Sequence, residues 1–466
     1  MKTTDSYEQQ SHPKVGKRFW QAKLGALPAI GILLIAIPVG LHWFPGSFGE
    51  QQLDPIYRYR YQRPEPGSVT VALNREMAFY QERIGNSPDD GLNRALLATT
   101  YIRMAKATGE SSWYLLAQQT AEESLANLPF DNDGAIMALA RVATAKHDFA
   151  EAVRLAKKAQ PTDEVLSVLV TANLAMGKVE EARIAADKLV KQTPSAAALT
   201  LQALVKVALG KDGEAIEDFK GAIAAEEAEE TGSSVWARTS IGRLYFKRGK
   251  LKLAEQLYRE ALRILPQYAP AILNLAELQI RLGHYREAER LYEKFFLTSQ
   301  RSPDVYDHVI MRGMARVKEL QGDKERAKEW RDKAEARLRE DLTGFGHGRE
   351  LARLLLERGS QKDISEALSL MQGELRVRRD AETLDTQALA LQKAGRWREA
   401  QQAMREALRW GIRDPALFYR AGTIEKALGN DSQAIAFFRL ARETDPTFDE
   451  KAQRALGLGV GLLGLS

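Results

Sequence analysis

A chain of 466 residues with 44% apolar and 28% charged side chains is long enough for several ordinary domains or for one extended array. It has no cysteine, which excludes a disulfide framework, a thiolate metal site and a cysteine nucleophile. The net charge of +5 is uneven: residues 1–23 hold five basic side chains against Asp5 and Glu8, and the other 62 basic and 60 acidic side chains leave the body nearly balanced.

From Leu24 to Phe44 run 21 residues without Asp, Glu, Lys or Arg. At about 1.5 Å per residue, a helix of that length covers the ~30 Å hydrocarbon core of a bilayer. Pro28 and Pro38 are tolerable in a membrane helix, and Trp20 and Trp43 stand where aromatic belts form. Five basic residues precede the stretch, whereas on its other side Arg58 and Arg60 are opposed by Glu50 and Asp54. The positive-inside rule then predicts a cytoplasmic N-terminus (1–23), a single transmembrane helix (24–44) in the lipid bilayer of a bacterial inner membrane, and an extracytoplasmic remainder. The competing reading is a cleaved signal peptide, for which the apolar stretch is long and Ser47 and Gly49 are poor cleavage sites.

Residues 45–68 form a linker, because proline at 45, 55, 64 and 66 and glycine at 46, 49 and 67 exclude a regular helix or inner strand. Within it Tyr57, Tyr59 and Tyr61 alternate with Arg58, Arg60 and Arg63. Such a pattern suits a juxtamembrane patch on headgroups or a partner, or an extended strap on the first repeat; the strap is the expectation.

Beyond Val69 the apolar spacing is helical throughout. A first helix, Val71 to Arg83, precedes units that begin near Gly91, Asp133, Asp163 and Ala196. Their turns fall at Gly109 (an enlarged turn), His147 to Phe149, Gly177 and Gly210, and they fill an N-terminal array over 69–225. An acidic stretch, Glu226 to Ser234, separates them from the clearest unit, 235–268. That unit has Ile241, Gly242 and Tyr245 in one helix, a turn at Gly249, Ala254, Tyr258 and Ala261 in a second helix, and a stop at Pro266. Its small residues let two helices approach closely, and its tyrosines fill the space beside them. Further units complete a central array over 235–340, with turns at Gly283 and Gly322. Residues 341–380, which open on GFGHG, match only in part, at Ala352, Gly359 and Ala367. The register returns over 381–448, and the apolar, glycine-rich segment 449–466 is too short to span a membrane and reads as a cap or tail. Turn glycines 249 and 283 lie 34 residues apart, as do 395 and 429.

In its order of small and large residues the 235–268 unit resembles a tetratricopeptide repeat, and the resemblance extends over roughly residues 90–448. It implies an all-α fold, a right-handed superhelix of about ten helix pairs, with partners held on the concave face by the first helix of each pair. On that basis the groove-facing side chains are Trp236, Thr239, Arg243 and Lys247, then Leu273, Glu277 and Arg281, Arg312 and Arg316, Asp385, Gln392 and Lys393, and Tyr419 and Lys426. Arg243, Arg281, Arg312 and Arg316 form a path for an acidic or extended peptide, or else pair with neighbouring glutamates and face water. The lysine and asparagine clamp by which some members of the family hold a C-terminal carboxylate is not matched: Asn274 has Thr239, Arg243, Val309 and Gly313 for neighbours.

No catalytic constellation emerges. There is no GxxxxGK[ST] loop, no HExxH and no nucleophile elbow. GFGHG reads as a flexible connection, with an enzyme site around it and His347 the rival reading. His147 and His284 fall in repeat turns as solvated side chains, and His308 with Asp307 would need two more ligands to hold a metal. No cofactor is implied. A nearly balanced body argues against nucleic acid, and the ten basic and seven acidic residues of 312–340 interleave as a solvated face. The function so expected is a non-enzymatic protein–protein scaffold that assembles envelope proteins.

Overall fold

The computed structural model describes residues 53–299, 305–342, 345–455 and 457, which contain helices and no strand. The expected membrane helix at 24–44 and the tail beyond 457 lie outside the described residues. Among the described residues no helix is long and apolar enough to cross a membrane.

Helix α1 (Ser68–Asn86) leads into ten helix pairs. These are α2 (Gly91–Thr108) with α3 (Ser112–Asn127), α4 (Asp133–Ala145) with α5 (Phe149–Ala156), α6 (Asp163–Ala175) with α7 (Val179–Gln192), α8 (Ala196–Ala208) with α9 (Asp212–Ala224), and α10 (Thr231–Lys247) with α11 (Leu251–Ile264). Then come α12 (Ala269–Leu282) with α13 (Tyr285–Ser299), α14 (Asp307–Leu320) with α15 (Lys324–Asp341), α16 (Gly348–Arg358) with α17 (Gln361–Val377), α18 (Ala381–Lys393) with α19 (Trp397–Leu408), and α20 (Pro415–Ala427) with α21 (Asp431–Thr444). A short α22 (Glu450–Ala455) comes last. Several starts are set by side-chain caps: Asp148, Thr162, Ser195 and Ser360 each accept the backbone N–H three residues on, which satisfies a donor the helix leaves open.

The small and large positions do what their order in the sequence suggests. Ala254 and Ala261 are fully buried where α11 meets its neighbours, and Tyr258 is fully buried between them. A Cβ at Gly242 would stand 2.7 Å from the Tyr258 ring, and one at Gly422 equally close to Phe438. A ring packed on all sides cannot retreat, so Gly242→Ala is expected to cost about 1–3 kcal/mol in urea denaturation.

Two stretches differ from expectation. The turn at Gly109 is short, and the extra length of that unit lies in its helices, of 18 and 16 residues. Within 341–380, residues 348–377 form a regular pair, α16 with α17, turning at Gly359 with φ 71°. Only its entrance departs from the pattern, and that entrance is not a solvated connection: Phe345 and His347 are buried.

The array winds back on itself. Val305 N, in the loop before α14, donates to Gly109 O in the α2–α3 turn at 3.0 Å. His147 Nδ1, in the α4–α5 turn, donates to Gly346 O before α16 at 3.1 Å. Arg379 N, before α18, donates to Ala175 O at 2.9 Å, and Arg409 and Trp410 reach Gly177 O in the α6–α7 turn. Gly210, in the α8–α9 turn at φ 71°, lies directly against the Gly411 carbonyl, where no side chain fits. The α10–α11 turn meets Asp445 and Thr447 before α22. Each of the first four turns thus rests on the loop that precedes the sixth pair further on, and the fifth rests on the loop before α22, so one coil of the solenoid sits on the next.

The described part of the linker, from residue 53 on, forms a strap, but not on the first repeat. Tyr57 is buried with its hydroxyl 2.9 Å from that of Tyr245, and Tyr59 N donates to Glu260 Oε1 at 3.0 Å. Tyr61 Oη donates to Glu226 O at 2.8 Å and Arg60 Nη2 to Ala224 O at 2.7 Å. The strap therefore crosses α9, α10 and α11. The first pair is already covered by α1, whose Leu73 and Met77 enter its core. The acidic separator is folded into the same place: Glu226 is buried and takes both ends of the Arg238 guanidinium, at 2.7 and 3.1 Å.

Candidate functional site

Residues one repeat apart occupy the same position on successive first helices, so charges at that spacing meet. Arg243 on α10 pairs with Glu277 on α12, and Arg420 on α20 pairs with Asp385 on α18 at 2.5 Å. Winding adds pairs between coils. Lys247 Nζ lies 2.8 Å from Asp414, and Arg281 Nη2 donates to Asp445 Oδ2 at 2.5 Å and to Thr447 Oγ1 at 2.7 Å. Between consecutive pairs, Arg312 Nη2 on α14 donates to Glu357 on α16 at 2.9 Å, and Arg316 lies 3.4 Å from the same carboxylate.

These pairs surround a cavity of about 100 Å³ at the axis of the array, walled by α10, α14, α16, α18 and α20 and closed on one side by Gln453 and Gly457. Its basic side chains are Arg243, Lys247, Arg312, Arg349, Arg353 and Arg420, and its carboxylates Glu350, Glu382, Asp385 and Asp414. The chain's own C-terminal segment enters here: Gly457 N donates to Glu277 Oε1 at 2.7 Å, and Ala452 of α22 is buried.

The side chains expected to line an open groove therefore fare differently. Arg243, Lys247, Glu277, Arg281, Arg312 and Asp385 do face inward, but each is buried in an ion pair and none is exposed to a peptide in solution. Leu273 is fully buried in an apolar cluster with Ile310 and Tyr292, and Thr239 is buried as well. Trp236 is half-buried against the core, as are Arg316, Gln392 and Tyr419, whereas Lys393 and Lys426 are exposed at the ends of α18 and α20. Sequence reasoning missed Arg349, Arg353, Asp414, Arg420 and Asp445. The 35-residue spacing of Asp385 and Arg420 was a usable signal; the partners joined by winding carry none.

Histidines far apart in sequence also meet. The ring of His308 on α14 lies tilted against that of His347, with centroids 4.5 Å apart, and the His347 ring lies 5.8 Å from that of His147, so His147 is not the solvated turn residue its position suggests. Among the described residues no group of His, Asp and Glu is arranged to hold a metal ion. Burial, then Arg378, pushes His147 down to about 3, and burial, then His347, pushes His308 well below the usual histidine range. Burial, then Glu350, raises Glu374 to about 7. Burial opposes charge on Glu350, yet Arg349 and Arg378 hold it well below the carboxylate range.

These directions give a pH dependence. Stability tied to the neutral imidazoles is complete above about pH 6.5, the unfolded value, and is lost as pH falls toward 3. That tied to Glu350 is lost at still lower pH. Glu374 opposes both, because its contribution is complete below about 4.5 and lost as pH rises to 7. Two imidazoles outweigh one carboxyl, so the protein is expected to lose stability on acidification, most steeply below about pH 4.5. Urea titrations across that range should show His308→Leu with a slope shallower by about one proton.

Helix pairs of this size, packed small against large and stacked in one line, define an α-helical repeat solenoid. Three tetratricopeptide-repeat family models match residues 245–307, 194–267 and 386–447. Residues 194–307 and 386–447 are thus tetratricopeptide repeats. A stretch of 54 residues is 37% identical to an uncharacterized protein, ycf37, of Pyropia yezoensis, covering 12% of this chain and 30% of that one. The solved structure of an IFIT1 monomeric mutant with Gppp-AAAA aligns over 75% of this chain and 80% of that chain, at 13% identity and a TM-score of 0.42.

Proposed function

We propose that the protein is a non-enzymatic scaffold, held in a membrane by residues 24–44, whose repeat array lies on the extracytoplasmic side and binds or assembles envelope proteins through its axial face. The observation that carries this reading is that the axis already accommodates a polypeptide: α22 and Gly457 lie against α12, with a backbone N–H bonded to Glu277. Tetratricopeptide repeats, which bind protein or peptide partners, support the same reading. Charge reversal at Arg243 or Arg281 would not test it, because a new carboxylate would face Glu277 or Asp445 in a buried site and unfold the region.

The test uses photo-cross-linking side chains at Lys393 and Lys426, with Ile184, exposed on a second helix, as the comparison. In intact membranes, a partner polypeptide is expected at Lys393 or Lys426 and not at Ile184. Cross-links confined to Ile184 would move the binding surface to the outer face. Protease added to intact spheroplasts should digest the array, and protection would invert the topology. A mature chain lacking about its first 49 residues would make the protein a cleaved, soluble adaptor.

A further inference from the structure

We propose that the outer face of α1 is a self-association surface, on which a second copy of the chain lays its own α1 antiparallel about a two-fold axis between Ala78 and Phe79. Leu73 and Met77, with Tyr80 and Ile84 beside them, turn α1 inward onto the first pair. On the opposite face Val71, Ala72, Arg75, Ala78, Phe79 and Glu82 are all exposed. A helix that caps a solenoid ordinarily turns a polar face to water. This one leaves Val71 at 49% and Phe79 at 51% exposure, although the Arg83 guanidinium lies over the Phe79 ring. Eight of the thirteen large apolar side chains exposed among the described residues fall between Val69 and Phe130, so apolar surface is concentrated at this end of the array.

The charges on the face select its occupant. Arg75 and Glu82 make no ion pair and no hydrogen bond among the described residues. Elsewhere the exposed arginines find a carboxylate one turn away, as Arg154 does at Glu151 and Arg183 at Glu180. Around Arg75 those positions hold Val71, Ala72, Ala78 and Phe79, and around Glu82 they hold Ala78, Phe79, Gly85 and Asn86. The two charges stand two turns apart, about 10 Å along the helix, too far to meet each other. An antiparallel copy centred between Ala78 and Phe79 sets each Arg75 against the Glu82 of the other chain. The same symmetry sets Ala78 against Phe79, small against large, and Ala72 against Gly85, which has open space beside it. A parallel copy would instead bring Arg75 against Arg75, and an anionic lipid surface would meet Glu82. The contact is isologous and therefore closes at two chains. Two helices of 19 residues make a small interface, so the association is reversible.

Light scattering on the full-length, detergent-solubilised protein is expected to show a dimer in equilibrium with monomer, with half dimer at about 10 µM. Arg75→Glu and Glu82→Arg change exposed side chains and should each weaken self-association about tenfold, because each sets two like-charged contacts across the axis. Mixed in equal amounts, the two variants should form a heterodimer of wild-type strength, since every contact then joins opposite charges. Because the chain has no cysteine, an introduced one is its only thiol. In membranes under mild oxidation, Ala78→Cys, next to the axis, should give a disulfide-linked dimer, and Ile184→Cys, on a distant exposed position, should not. A monomeric wild type, a dimer indifferent to both charge reversals, or weakened variants that do not recover on mixing would each overturn the proposal. So would Ala78→Cys joined only to a different protein. Neither Lys393 nor Lys426 lies on α1, so this result and the test of the axial face are separate.

Discussion

Arg238→Met is expected to lower the stability of the array by about 3–5 kcal/mol. Arg238 and Glu226 are both fully buried as side chains, and the guanidinium also donates to Tyr57 O at 2.8 Å and Ser234 O at 3.0 Å. Methionine fills much of the same volume but leaves the Glu226 carboxylate buried without its close partner; Arg60, 3.8 Å away and half exposed, compensates weakly. The strap loses an anchor at the same time, so protease should cut near residues 58–62 before the helices unfold. Urea denaturation gives the size of the loss. The double variant Arg238→Met/Glu226→Gln should recover a good part of it, because the penalty lies mainly in the orphaned charge. A single variant no less stable than wild type would mean that the carboxylate relaxes to water and that the strap holds by its tyrosines alone.

Asp445→Ala is expected to be comparably costly, about 3–5 kcal/mol, but confined to the seam between coils. The Asp445 carboxylate is fully buried, accepts from Arg281 Nη2 and from Thr447 N and Oγ1, and lies against Gly249. Its loss leaves Arg281 buried with the Phe246 carbonyl and Thr447 as its remaining acceptors. In a repeat array each pair is stabilised by its neighbours, so the damage should stay local. Amide exchange is expected to speed up at 446–457 and at the α10–α11 turn, with α2 to α9 unchanged. Uniform acceleration across the array would show instead that the coils unfold as one unit.

The helix pairs were legible in the sequence because each depends on contacts within about 40 residues. Gly242 needs Tyr258, and the left-handed backbone of Gly249 closes its own turn. Where the pattern misled, the cause lay in distant chain. The 341–380 pair read as degenerate because its entrance, Phe345 to Gly348, is fitted to His147 in the second repeat rather than to solvent. The strap read as belonging to the first repeat because nothing in residues 53–61 names Tyr245 or Glu260 as their partners.

The sequence by itself determined the repeat period, the small and large positions that bring each pair together, and the 34- to 35-residue registers that set Arg243 against Glu277 and Asp385 against Arg420. Only the tertiary structure decided that the inner face carries buried ion pairs and receives the chain's own C-terminal segment. Winding sums a small rotation at each interface, and no local stretch of sequence encodes that sum. After six pairs it lays one coil on another and buries the arginines that a more open array would present to a ligand.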